Sequence, residues 1–272
     1  RAHRRAPQPG PAARLMSFWR RGPRDEPGRD GQEQSFPEAW RTRLADRWPT
    51  WRTLTPAERT RLEDRILAFV ADVRFEAARG FEVTDEMRLL VAAQAGLLVL
   101  ELPGRPYRKV SSVILHPRTV VLQGARRVGD GGLVADDPYA ISGQAHPGGP
   151  VILAWSTLAF EARHPERGQN VVYHEFAHQL DMIDGTTDGT PPIADAALRA
   201  RWVEVCTAEF RRLRRGADHV LRPYAATDAG EFFAVATEQF FTQPGPLRDG
   251  APELYDVLRG FYGQDPASRL PG

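Results

Sequence analysis

The chain has 272 residues, 42% hydrophobic and 26% charged, with a formal net charge of +1. It is long enough to bury a sizeable core, and its near-neutral balance argues against a molecule drawn as a whole to nucleic acid or a membrane surface. Cys206 is the only cysteine, which leaves no intramolecular disulfide and no cysteine-rich metal site.

Residues 1–35 are rich in Arg, Pro, Gly and Gln and poor in aliphatic side chains. They are expected to form a disordered tail ahead of one domain over 36–272. The first methionine is Met16, where translation is expected to begin. No apolar run of signal-peptide length follows the N-terminal arginines. The greasiest stretch, 89–102, is interrupted by Gln94 and Glu101 and is too short to span a bilayer. The expected compartment is the cytoplasm.

Order is expected from Phe36. Thr55-Pro56-Ala57-Glu58 is a helix start, with a capping Thr, Pro at the first position and Glu58 closing a capping box. Leu62, Ile66, Phe69, Val70 and Val73 then recur at helical spacing. A second helix runs from Thr84 to about Glu101, ended by Pro103-Gly104. Two β-branched runs, 110–115 and 119–122, read as strands or one bent strand, and 123–149 reads as loop. A strand over 151–155 precedes the central motif, an order that zinc peptidases use to hold a peptide by strand addition. Further helices are expected over 194–215, 229–242 and 253–262. The arginines at 211, 212, 214 and 215 close the first of these and suit the negative end of its dipole.

The central motif is His174-Glu175-Phe176-Ala177-His178. On a helix, residues four apart fall within roughly 40° of each other, so His174 and His178 can share one tetrahedral Zn2+. Glu175, one step round, is placed to take a proton from a metal-activated water. Tyr173, Phe176, Leu180 and Ile183 form an apolar stripe opposite, and Gly185 marks the stop. Ordinary His and Glu frequencies produce this pattern by chance in roughly one such chain in a hundred.

A catalytic zinc needs a third protein ligand. Asp184 has the right offset, but the chain lacks the glycine that such a pattern uses to turn. Glu231 and Glu238 lie two turns apart on an apolar, hence buried, helix. Buried carboxylates require a cation or strong hydrogen bonds. Either could ligate while the other supports a histidine N–H, and spacing alone does not choose.

The motif 174–182, together with Tyr224-Ala-Ala-Thr-Asp-Ala-Gly-Glu231 and its continuation to Glu238, resembles the Mlc titration factor A family of zinc-dependent peptidases. Ser142-Gly143-Gln144, the segment 149–155 and the ending 261–270 are similar to it as well. The resemblance implies an α+β, zincin-like metallopeptidase fold, mostly helical with a small sheet beside the motif helix, related to the catalytic domain of anthrax lethal factor. It implies one Zn2+ per chain held by His174, His178 and Glu231, with Glu175 as base and Tyr224 stabilising the transition state. It also implies aminopeptidase-type activity on peptide or protein substrates and a transcriptional repressor of the Mlc type as partner, linked to sugar uptake. A repressor-binding protein with a little-used zinc site is the alternative. No nucleic-acid or membrane partner is expected.

Overall fold

The computed structural model describes residues 35–270, except 79, 119, 142 and the stretches 123–125, 129–132, 136–138 and 146–148; side-chain surroundings are described outside 119–148. The expected tail and Met16 lie outside the described residues.

The first helices form where their caps and apolar faces dictate. They are α1 (Glu38–Arg47), the single turn α2 (Thr50–Thr53) and α3 (Pro56–Asp72). Thr55 Oγ1 accepts the Glu58 N–H at 3.2 Å and the Glu58 carboxylate accepts the Thr55 N–H at 2.8 Å, completing the capping box. Arg41 binds Glu63 in a fork at 2.6 and 2.7 Å and ties α1 to α3. After β1 (Arg74–Ala77) comes α4 (Asp85–Leu98), buried continuously from Leu89 to Leu98. Such a helix needs partners on every side, and α1, α3 and the motif helix supply them.

The main sheet contains β1, β2 (Ser112–His116), β8 (Val151–Ala154) and β7 (Gly143–Ala145), in the order β1-β2-β8-β7. The first three are parallel and β7 runs antiparallel to β8. Val113 and Leu115 pair with Val151 and Leu153, and all four are fully buried. Between β2 and β7 lies a nested ribbon: β3 (Val120–Leu122) pairs with β6 (Tyr139–Ile141), and β4 (Arg126–Val128) with β5 (Leu133–Ala135).

Two expectations are corrected here, and one that was left open is decided. The stretch 123–149 carries β4 to β7, in segments of three residues that are too short to show alternation. The two β-branched runs are not one bent strand, since β2 joins the main sheet and β3 the ribbon. The strand over 151–155 ends at Ala154, and it is interior, paired on both sides. Trp155 instead opens α5 (Trp155–Arg163).

The motif helix is α6 (Val171–Asp181), packed against β7, β8 and α4. Phe176 is buried between Phe69 and Tyr107, at ring-centroid distances of 5.5 and 4.9 Å. Gly185, at φ 98°, ends the short 3-10 turn that follows. The remaining helices are α7 (Ala196–Arg214), α8 (Ala229–Thr242), α9 (Pro244–Gly250) and α10 (Pro252–Tyr262). Phe240 and Phe241 of α8 pack on Tyr262 of α10. The whole is an α+β fold, mostly helical, with a small sheet beside α6. Among the described residues no helix is long and apolar enough to cross a membrane.

Gly189 locks the loop between α6 and α7. Its N–H donates to Asp181 Oδ2 at 3.0 Å and its carbonyl accepts from Trp202 Nε1 at 3.1 Å. Its φ is 75°, and a Cβ there would run into the Ala229 carbonyl at the start of α8. Gly189→Ala is therefore expected to cost about 2 kcal/mol or more, read as a lowered midpoint in urea unfolding.

Candidate metal centre

The site begins with how α6 starts. A helix leaves its first N–H groups without intrahelical partners, and at α6 three side chains take them. Asn170 Oδ1 accepts from Val172 N at 3.1 Å and Tyr173 N at 3.0 Å. Glu161 Oε2 accepts from Val171 N at 2.6 Å, and Glu238 Oε2 from Asn170 N at 2.7 Å. Asn170 Nδ2 in turn donates to Gln94 Oε1 at 2.6 Å. The start of the helix is thereby fixed to α4, α5 and α8.

One turn on, His174 and His178 project from the same face, their Nε2 atoms 3.2 Å apart. Glu231, in the first turn of α8, brings Oε2 to 3.1 Å from His174 Nε2 and 3.7 Å from His178 Nε2. These three form a cluster that could hold a metal ion, with ligand atoms within 4.8 Å of one another. Two ligands at zinc-bond length on a tetrahedral ion are about 3.3 Å apart, close to all three separations. Glu231 Oε2 is buried and completes no hydrogen bond, while Oε1 accepts from the Tyr224 hydroxyl at 3.0 Å. A buried, unsatisfied carboxylate oxygen facing two imidazole nitrogens fits a divalent cation.

Glu238 lies on the other side of the same imidazole. Its Oε1 is 2.8 Å from His174 Nδ1. A carboxylate only accepts, so Nδ1 carries the proton and Nε2 is left free to face the cluster. Arg222 binds both oxygens of Glu238, at 2.6 and 3.0 Å. The two glutamates that spacing left equivalent thus stand in front of and behind one ring. Asp184 is exposed in the 3-10 turn after α6, where its Oδ1 accepts from Thr186 N at 3.0 Å; it is not part of the cluster.

Glu175 is 5% exposed and makes no hydrogen bond or ion pair with a described residue. Burial raises its pKa above the ordinary glutamate value, and the two histidines offset part of this. Tyr224 stands in a 3-10 turn (Pro223–Ala226) at the mouth, with its ring tilted over His174 at 6.1 Å. Burial pushes Glu161 up to about 7. Burial alone would lower the His174 pKa, but the Glu231 and Glu238 carboxylates, one beside each ring nitrogen, hold it well above the ordinary value, so a metal reaches Nε2 by displacing a second proton.

Of the residues weighed in the sequence, His174, Glu175, His178, Tyr224, Glu231 and Glu238 meet here, and Asp184 does not. Sequence reasoning missed Asn170, Glu161 and Arg222 and took Gln94 for a mere interruption. Only Asn170 carried a usable signal, as an N-cap residue just before the motif helix.

Two outcomes follow. Metal must displace the His174 proton, so zinc affinity should weaken about tenfold per pH unit below the pKa of that ring, measured by competition with a chromophoric chelator. Glu238→Gln should lower zinc affinity about 10- to 100-fold at neutral pH while the fold persists, read by the same titration and by circular dichroism.

The model of the family described as glucose-regulated metallo-peptidase M90 matches residues 20–263. An uncharacterized protein of Synechocystis sp. is 35% identical over 239 residues, covering 86% of each chain. Mlc titration factor A of Serratia proteamaculans is 34% identical over 199 residues, 71% of this chain and 74% of that one. The protein of the same name in Escherichia fergusonii is 31% identical over 230 residues, 82% of this chain and 85% of that one. The family match takes in α6, Tyr224 and α8, the three places from which the cluster is built. With that span matched, the chain belongs to the glucose-regulated metallo-peptidase family M90.

Proposed function

We propose that this protein is a zinc-dependent peptidase of aminopeptidase type, its catalytic domain spanning 36–272, with one zinc held by His174, His178 and Glu231. The observation that carries the reading is the unsatisfied Glu231 Oε2 facing both Nε2 atoms, with Glu175, which pairs with no described residue, on the helix of the two histidines. A zinc ion so held supplies Lewis acidity, polarising a carbonyl and acidifying a water. Glu175 accepts a proton from the attacking water on its carboxylate, helped by the raised proton affinity that burial confers. It then passes that proton to the departing amine. The Tyr224 hydroxyl, already aimed at the cluster, turns from Glu231 to donate to the oxyanion that develops on the scissile carbonyl. Glu238 and Arg222 hold the His174 ring in one tautomer throughout.

A peptide substrate adds as a strand to β7, which has a partner on one side only among the described residues. β8 has no such free edge. The relatives named Mlc titration factor A favour a second role in the cytoplasm, binding a transcriptional repressor of the Mlc type and so adjusting sugar uptake. That role needs the surface but not Glu175.

Zinc content and turnover of an amino-acid p-nitroanilide panel separate the two. Glu175→Gln should keep its zinc and lose at least about 100-fold in kcat, and Tyr224→Phe should lose about 10- to 100-fold in kcat with little change in KM. Glu175→Gln turning over like wild type would refute the assignment of the base. Zinc bound without cleavage of any panel member by wild type would favour the repressor-binding role.

A further inference from the structure

A concave feature lies on the far side of the α8 first turn from the cluster. That turn presents Glu231 to the histidines, while its Ala229 and Phe232 line a cavity of about 510 Å3 closed by α7 and the loop 188–190. The floor is apolar, formed by Trp202, Phe210 and Phe232, and Val203 stands 49% exposed beside it. At the rim are Arg211, Arg214 and Arg215.

Among the described residues these cations are not neutralised by an ion pair. Elsewhere on α7, Arg201 pairs with Glu204 and Glu253, and Arg212 with Glu209. Arg211 and Arg215 make no ion pair with a described residue, and Arg214 lies over the Phe210 ring at 5.6 Å. The helix dipole accounts for cations at this end of α7. It does not account for an apolar concavity beneath them, nor for an exposed valine at its edge. Asp188 is the one carboxylate in the lining, and its Oδ1 accepts the Thr190 N–H at 2.9 Å.

We propose that this cavity is a docking site for an acidic segment of another protein, one in which a bulky aliphatic or aromatic side chain is flanked by carboxylates. The apolar floor takes the side chain and the unpaired guanidinium groups take the carboxylates, in forked hydrogen bonds that arginine makes well. The chain's own residues 1–35 carry eight arginines against four carboxylates, so the tail has the wrong sign for this rim. Phosphate recognition along a nucleic acid would use the cations but leave the floor unfilled. The proposal does not depend on peptidase chemistry, because the cavity shares no side chain with the cluster.

The test is fluorescence anisotropy with the full-length Glu175→Gln chain, chosen so that the probe is not cleaved, and a fluorescein-labelled, end-blocked peptide Asp-Asp-Leu-Phe-Glu-Glu. Saturable binding is expected, weakened about tenfold or more both by Arg211→Ala/Arg215→Ala and by about 0.5 M salt. Val203→Asp, at an exposed position, should weaken it as well, with thermal melts unchanged in both variants. Four results would each overturn the proposal: no saturation by about 1 mM peptide, undiminished binding to the double variant, equal affinity for a peptide with Leu-Phe replaced by Gly-Gly, or tighter binding of a short single-stranded DNA that the same double variant loses.

Discussion

The carboxylate of Glu238 is the contact on which the site depends. It is 2% exposed and receives His174 Nδ1, both Arg222 nitrogens and the Asn170 backbone N–H. A buried charge with one partner removed costs about 3–5 kcal/mol, so each of these groups depends on the others staying in place. Burial would raise the Glu238 pKa, but the imidazole and the guanidinium overcome it and hold the group ionised. The consequence is chemical as well as structural. With its Nδ1 proton committed to Glu238, His174 turns Nε2 towards Glu231 and His178, where a metal can replace the second proton.

The same carboxylate joins two structural problems into one solution. α6 must start inside the protein, where its first N–H groups cannot reach water. Glu238 and Glu161 serve as acceptors there, and the ionised Glu238 also places negative charge at the positive end of the helix dipole. Asn170 caps the next two groups and holds Gln94, which explains a polar residue in the middle of the otherwise apolar α4. The sheet contributes a firm floor. Interior β8 and the buried pairs Val113–Val151 and Leu115–Leu153 support α6 from below, and the edge falls to β7.

Geometry separates two residues that look alike in the sequence. Glu231 and Glu238 are two turns apart on α8, and the imidazole of His174 spans the gap, with one nitrogen for each. The first turn of α8 then serves two surfaces. Glu231 faces the histidines, and on the reverse Phe232 floors the arginine-rimmed cavity. Gly189 makes this possible, because only a residue without a Cβ lets the loop press on Ala229.

Much of this was legible in the chain itself. The i,i+4 histidines with Glu175 between them, the apolar stripe of α6, the Thr55 capping box and the buried helix α8 are local patterns, and local patterns are set by helix periodicity and capping. The bounds of α8 needed no tertiary information. The ribbon between β2 and β7 was illegible because three-residue strands carry too little alternation to read. The interior position of β8, the pairing of Arg222 with Glu238, and the capping of Val171 by Glu161 are contacts between residues far apart in sequence. Such contacts depend on which elements pack together. The sequence alone therefore determined which side chains could hold a metal, and the packing of α8 across α6 decided which carboxylate meets the histidines in front and which supports one of them from behind.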